Sequence, residues 1–183
     1  MAATTGLMTV EEFLQLPETG PFYYELRHGE LVQVTRAKMK HARAQKRIER
    51  LLEQAAGNDF CVAVECAFRP RPEHEFRIAD VAAVAMDRWE NTDDDDNLRG
   101  APDLVIEILS PSNTIAEMND KEQLCLENGC REFWVVDPML RQVKVSTPDG
   151  ITRTYRSGQE VPLNLFPSGT LAVDAIFNAP VPG

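Results

Sequence analysis

A single carboxylate interrupts the apolar run Leu104-Val105-Ile106-Glu107-Ile108-Leu109. The run is rich in β-branched residues and lies between Pro102 and Pro111. That composition is typical of a strand buried on both faces of a sheet. A buried carboxylate without a partner costs several kcal/mol, so Glu107 must be neutralised, paired or bound to a metal ion. The sequence therefore predicts a buried strand that carries a functional acid.

A second carboxylate, Asp80, lies in the apolar run Ile78-Ala79-Asp80-Val81-Ala82-Ala83-Val84. Asp80 and Glu107 together would bind a hard divalent cation, Mg²⁺ or Mn²⁺, because such cations prefer oxygen ligands. The carbonyl of Ile108 and waters would complete the coordination. Such a cation acidifies a bound water and stabilises charge on a phosphoryl oxygen. The alternative for Asp80 is a structural role in which backbone amides satisfy its carboxylate.

Lys121 is the expected cationic partner of Glu107. It lies on a helix predicted over residues 113–127, where Met118, Lys121 and Cys125 are spaced by three and four residues. This spacing places the lysine on a stripe with two apolar side chains. A lysine directed at the core normally meets an acid, so we expect it to reach Glu107. The alternative is a solvent-exposed pair with Glu117, four residues earlier.

The length of 183 residues suits a single domain with one sizeable core. No apolar run approaches the roughly 18 residues that cross a membrane, and the first residues lack a signal-peptide pattern. We therefore expect a cytoplasmic protein with no membrane partner. The four cysteines are too few for a disulfide scaffold, and their pairwise spacing does not match a structural zinc site.

The charge is distributed unevenly along the chain. The net charge is −10, which by itself argues against a nucleic-acid partner. Residues 36–50, however, hold seven basic residues and one acid, so this segment carries +6 and the remainder −16. A basic helix face on an acidic body can bind phosphates, and the candidate residues are Lys40, Arg43, Lys46 and Arg47. The alternative is a solvated helix face without a ligand.

The rest of the pattern alternates helices with groups of strands. A capping box at Thr9–Glu12 predicts a short N-terminal helix, and a long helix is predicted over residues 38–56. The predicted strands are Tyr23–Arg27, Glu30–Thr35, Cys61–Phe68, Phe76–Val84, Leu104–Leu109, Glu132–Asp137, Gln142–Thr147 and Ile151–Arg156, and a helical turn is predicted at Val173–Phe177. This order predicts an α/β or α+β domain with a mixed sheet and helices on both sides.

These motifs, in this order, resemble the PD-(D/E)XK nuclease superfamily. More specifically, the chain is similar to the Uma-two group of restriction-type endonucleases, formerly a domain of unknown function. The resemblance covers nearly the whole chain. It rests on Met8–Leu14, Tyr24–Leu26, Gly29–Val32, His41, Ala79–Val81, Pro102–Ser112, Lys121, Gly129 and Glu132–Pro138.

The resemblance implies a restriction-endonuclease-like, three-layer core with a central mixed β-sheet flanked by helices. It also implies Mg²⁺-dependent cleavage of DNA phosphodiester bonds and a homodimer. The single domain of residues 1–183 would comprise an N-terminal helix and hairpin (1–36), a nuclease core (37–138), and a C-terminal hairpin and tail (139–183).

The resemblance also assigns roles to individual residues. By position, Asp80 and Glu107 correspond to the metal-binding carboxylates, and Lys121 to the catalytic lysine, displaced from the strand onto the helix. Glu25 corresponds to an additional acid beside the site, and His41 to a polar residue that faces it.

Three positions depart from the pattern of the group. Ala79 stands where the group has proline, and Cys125 and Phe133 stand where it has tyrosine. The two acids and the lysine are intact, which favours an enzyme over a catalytically silent module that binds nucleic acid or protein. The net charge of −10 favours the silent module. A third hypothesis is an unrelated metal-dependent phosphoesterase.

Overall fold

The computed structural model describes residues 6–17, 22–34, 38–167 and 169–178. In these ranges the helices are α1 (Val10–Leu14), α2 (Met39–Ala56), α3 (Met86–Glu90), α4 (Ile115–Glu127) and α5 (Val173–Asn178). The strands are β1 (Tyr23–Arg27), β2 (Glu30–Val34), β3 (Phe60–Arg69), β4 (Arg77–Ala85), β5 (Leu98–Arg99), β6 (Leu104–Ile108), β7 (Glu132–Asp137), β8 (Gln142–Ser146), β9 (Thr152–Arg156), β10 (Glu160–Pro162) and β11 (Thr170–Ala172).

Seven strands form a mixed sheet in the order β5-β3-β4-β6-β7-β8-β9. The pairs β3–β5 and β6–β7 are parallel, and the other four neighbouring pairs are antiparallel. The parallel strands β6 and β7 are connected through α4, since parallel neighbours need a crossover. The β1–β2 hairpin joins the sheet through an antiparallel bridge between Leu26 and Phe76. The predicted mixed sheet is therefore confirmed.

Helices cover both faces of this sheet, and each face has its own hydrophobic core. On one face, Ile48 and Leu52 of α2 are fully buried in a cluster that includes Ile106 of β6. On the other face, Cys125 of α4 is buried in a cluster with Phe133 of β7. The predicted three-layer arrangement is confirmed.

The ladder between β4 and β6 is short, and its end creates the opening used by the site. The paired residues run only from Ala83–Leu104 to Val81–Ile106. Beyond Val81, the segment Ile78–Asp80 of β4 and the segment Glu107–Ile108 of β6 no longer pair with each other. We call these two segments the β4–β6 notch. Extending the register by one residue places Asp80 opposite Glu107.

Strand β3 changes its side-chain alternation beside the notch. Phe60 packs against the α2 core, whereas Cys66, also even-numbered, packs in the α4 core. Alternate residues of a regular strand point to opposite faces, so this switch requires a local change of the backbone. Glu65 supplies it with a φ of +49°, uncommon for a residue with a side chain. The register on either side places Glu65 opposite Asp80.

Most predicted elements form within a few residues of their expected bounds. The α1 capping box is confirmed, but the helix ends at Leu14 rather than near Leu16. The β1–β2 turn is confirmed, with φ of +51° at His28 and +77° at Gly29, as a two-residue hairpin turn requires. The predicted strand end at Thr35 lies outside the described residues. The sequence patterns missed α3, β5, β10 and β11, each six residues or shorter.

Among the described residues, no helix has both the length and the apolar character that a membrane span requires.

Candidate active site

Asp80 lies in the notch with both carboxylate oxygens bonded. Its Oδ2 accepts a hydrogen bond of 2.7 Å from the backbone amide of Ile108. Its Oδ1 lies 2.9 Å from His41 Nε2 and 3.3 Å from Gln45 Nε2. The side chain therefore takes the place of a ladder partner for β6 and connects the sheet to α2.

Glu107 is buried in the same notch, as its position in an apolar run predicts. The residue is 6% exposed, and its Oε1 forms an ion pair of 2.8 Å with Lys121 Nζ. Burial raises the pKa of Glu107 to about 7, the ammonium of Lys121 opposes this rise, and the charge of Asp80 adds to it. Loss of solvation thus outweighs the lysine in setting this carboxyl.

Lys121 on α4 is shared between two acids. Its Nζ donates a hydrogen bond of 2.7 Å to the carbonyl of Ile78 and lies 2.8 Å from Glu107 and 3.6 Å from Glu25. Burial lowers the pKa of Lys121, but the two carboxylates outweigh it and raise the pKa, so the ammonium keeps its proton. The predicted inward lysine is confirmed. A pair with Glu117 is not formed, because Glu117 binds Arg27 instead.

Glu25 on β1 completes the acidic side of the notch. It is 2% exposed, its Oε1 accepts a hydrogen bond of 2.9 Å from the amide of Ile78, and its Oε2 accepts one of 2.8 Å from Arg27 Nε. Burial raises the pKa of Glu25, but the charges of Lys121 and Arg27 outweigh burial and hold it below its usual value. The charge of Glu25 is therefore stabilised beside the lysine.

His41 and Gln45 reach the notch from the first turns of α2. They lie four residues apart, so both side chains project from one face of the helix. The hydrogen bond to Asp80 raises the pKa of His41, against the effect of burial, and the charges of Glu107 and Glu65 add to the rise. Gln45 also donates to the backbone carbonyl of Asp80 at 3.3 Å. No local sequence pattern indicated Gln45, because its partner lies 35 residues away.

The side chains of the notch fit a small divalent cation. Glu107 Oε1 is sealed from solvent, and its ion-pair partner among the described residues is Lys121 Nζ at 2.8 Å. Within those ranges, no three histidine, cysteine, aspartate or glutamate side chains converge closely enough to hold a metal ion. Mg²⁺ commonly takes only one or two carboxylates and keeps several waters. Asp80 and Glu107 match that requirement in number and chemistry.

The four basic residues predicted to bind phosphate lie on α2 in different surroundings. Lys40 and Arg43 are exposed and form no ion pair with the residues that the structure describes. Lys46 is exposed but pairs with Glu49, and Arg47 is half-buried. The free basic surface therefore lies within two residues of His41, at the start of the helix.

A comparison with protein families identifies the chain. The model of the Uma2 family, described as putative restriction endonucleases, matches residues 10–174. The chain belongs to the Uma2 family. This match includes the residues that meet at the notch, from Glu25 on β1 to Lys121 on α4.

A solved structure supports the fold of this Uma2 protein. It is similar to a crystal structure of a putative nuclease of the DUF820 family from Anabaena variabilis, with 23% sequence identity and a TM-score of 0.79. The similarity covers 93% of this chain and 97% of that protein. At this identity the likeness shows the fold alone. No curated protein matches the chain.

Proposed function

We propose that this Uma2 protein is a Mg²⁺-dependent endonuclease that hydrolyses DNA phosphodiester bonds in the β4–β6 notch. Membership of the Uma2 family supports a nuclease, and one structural observation supports metal-dependent cleavage in the notch. Two strands stop pairing where each presents a carboxylate, and a buried lysine lies 2.8 Å from one of these acids. A fold gains little stability from burying acids and a lysine together, whereas a hydrolytic site uses buried charged groups of this kind.

In this proposal Asp80 and Glu107 hold a Mg²⁺ or Mn²⁺ ion. When bound, the cation would acidify a water and stabilise charge on the phosphate. Lys121 keeps its proton and stabilises negative charge that develops beside Glu107. His41 orients the Asp80 carboxylate, and Glu25 holds Lys121 from the other side.

The proposed nucleic-acid footprint is the exposed start of α2. Lys40 and Arg43 are free to bind phosphates next to His41, while Lys46 would first have to leave Glu49. Arg47 would contribute at the edge of this surface. Contacts from these residues to DNA phosphates would position a DNA strand over the notch without reading its base sequence.

We also expect one structural domain over residues 1–183, a homodimer, and a cytoplasmic location. A dimer would supply two notches for the two strands of a duplex. Light scattering of the purified protein measures the dimer directly.

A catalytically silent binding module is the second candidate. The observation that favours it is the saturation of Asp80, whose two oxygens already accept protein hydrogen bonds. The net charge of −10 also weakens contact with nucleic acid. In a silent module the notch would be a structural network with no cation.

Plasmid nicking separates the two candidates. We expect wild type to nick plasmid with Mg²⁺ or Mn²⁺, and Glu107→Ala and Lys121→Ala each to lose at least roughly 100-fold in rate, since each removes electrostatic stabilisation of the transition state. Lys144→Ala is the matched control, because Lys144 pairs with Glu122 of α4 at 2.7 Å and lies outside the notch. Absence of cleavage by wild type with either metal, together with absence of metal binding in calorimetry, would establish the silent module instead.

A further inference from the structure

The ammonium of Lys121 lies between two buried acids at unequal distances. Its Nζ is 2.8 Å from Glu107 Oε1 and 3.6 Å from Glu25 Oε1. All three residues are at most 6% exposed, so their charges interact strongly. The position of the ammonium therefore depends on how fully each acid is neutralised by other groups.

Arg27 neutralises one of these acids. Its Nε donates a hydrogen bond of 2.8 Å to Glu25 Oε2, and the amide of Ile78 donates one of 2.9 Å to Glu25 Oε1. Both oxygens of Glu25 are thus bonded without the lysine. Glu107 Oε1, in contrast, has Lys121 as its only ion-pair partner among the described residues. The positive charge of Arg27 biases the ammonium toward Glu107.

Arg27 also holds the helix that carries the lysine. Its Nη1 donates a hydrogen bond of 2.8 Å to Glu117 Oε1. Glu117 lies four residues before Lys121, one turn earlier on the same face of α4. One guanidinium therefore fixes both the competing acid and the backbone that positions the lysine.

We propose that Arg27 is a positioning residue that directs the ammonium of Lys121 away from Glu25 and onto Glu107. The inference rests on the proposed function, because it concerns the same notch, but its geometric part can be measured without any activity. Docking of the hairpin on α4 does not depend on Arg27 alone, because His28 in the hairpin turn binds Asp120 of α4 at 2.8 Å.

The test follows the ammonium itself in ¹⁵N–¹H spectra of lysine-labelled protein without metal. The signal of Lys121 is assigned by its loss in Lys121→Met. We expect Arg27→Met to shift this signal, and Arg27→Lys, which keeps the charge, to leave it near its wild-type position. Adding Glu25→Gln to Arg27→Met should return it toward that position, because the competing charge is gone.

Arg71→Met is the matched control. Arg71 pairs with Glu127 at the far end of α4, with an Nη2–Oε2 distance of 3.1 Å. Its loss removes an arginine–helix ion pair away from the notch, and we expect no shift of the Lys121 signal. An unshifted signal in Arg27→Met overturns the inference, and so does an equal shift in Arg71→Met. Should Arg27→Met not fold, Arg27→Gln removes the charge with less loss of hydrogen bonding and carries the same expectations.

Cleavage assays distinguish failure of the inference from failure of the proposed function. If wild type cuts DNA, Arg27→Met should slow turnover by up to roughly 100-fold, because small misplacements of a catalytic group are costly. The affinity of Arg27→Met for Mn²⁺ should equal or exceed that of wild type, because its Lys121 ammonium lies farther from Glu107 and competes less with the cation. Weaker metal binding together with slower turnover would indicate a general loss of structure and overturn the inference. If wild type does not cut DNA, the proposed function fails, and the spectra still decide the role of Arg27.

Discussion

Glu107 shows how one buried acid can be both costly and useful. Its carboxylate is removed from solvent, and its interaction with Lys121 offsets only part of the lost solvation. The pKa of Glu107 is raised to about 7 as a result. A carboxyl of this kind takes a proton or a cation readily near neutral pH. In the proposed function, a bound cation would replace the solvation that burial removes from this carboxylate.

The raised pKa of Glu107 predicts a pH-dependent stability. From its ordinary value of 4.5 up to about 7, the folded protein binds more protons at this residue than the unfolded chain does. The contribution of Glu107 to the free energy of unfolding therefore falls as pH rises through that window. Glu107→Gln should remove this fall, a difference on the order of 1–3 kcal/mol between pH 4.5 and 7.5.

Urea unfolding of metal-free protein at several pH values measures this difference. Glu90→Gln is the control, because Glu90 is an exposed acid of α3. Parallel pH curves for wild type and Glu107→Gln would contradict the assignment of a raised pKa to this carboxyl.

The site lies where strands β4 and β6 stop pairing with each other. Asp80 bonds the free amide of Ile108, Glu25 bonds the amide of Ile78, and Lys121 bonds the carbonyl of Ile78. Side chains thereby satisfy backbone groups that a longer ladder would have paired. The notch is consequently held open by the same residues that would perform the chemistry.

Helix α2 yields a prediction about nucleic-acid binding. Lys40→Glu with Arg43→Glu should weaken binding to DNA and reduce the slope of log affinity against log salt by about 2, one unit for each lost phosphate contact. Arg153→Glu with Arg156→Glu on the edge strand β9 is the control, because it makes the same change of charge at two exposed positions. Fluorescence anisotropy at several salt concentrations gives both slopes. Equal losses in the two double variants would show that α2 is not the footprint.

Across the whole molecule, the sequence predicts the features that depend on residues close together in the chain. Glu107 was predictable because it interrupts an apolar run, and Lys121 because it lies on an apolar helix stripe. The roles of Arg27 and Gln45 were not predictable. Arg27 contacts Glu117, 90 residues away in the chain, and Gln45 contacts Asp80, 35 residues away. Such contacts follow from how layers pack, which no local pattern contains.

Other features were missed because their cause is a single backbone angle or a very short element. The φ of +49° at Glu65 reverses the alternation of β3, and the sequence around it reads as an ordinary strand. Strands β5, β10 and β11 have two or three residues, too few for a period to be read. Tertiary pairing alone defines them.

Asp80 and Glu107 are proposed to hold one divalent cation between them. Anomalous diffraction from crystals soaked in Mn²⁺ can locate this cation. We expect a strong peak within coordination distance, about 2 Å, of oxygens from both carboxylates, and its absence in Glu107→Gln. Soaked wild-type crystals without a peak in the notch, or with a peak that Glu107→Gln leaves unchanged, would contradict it.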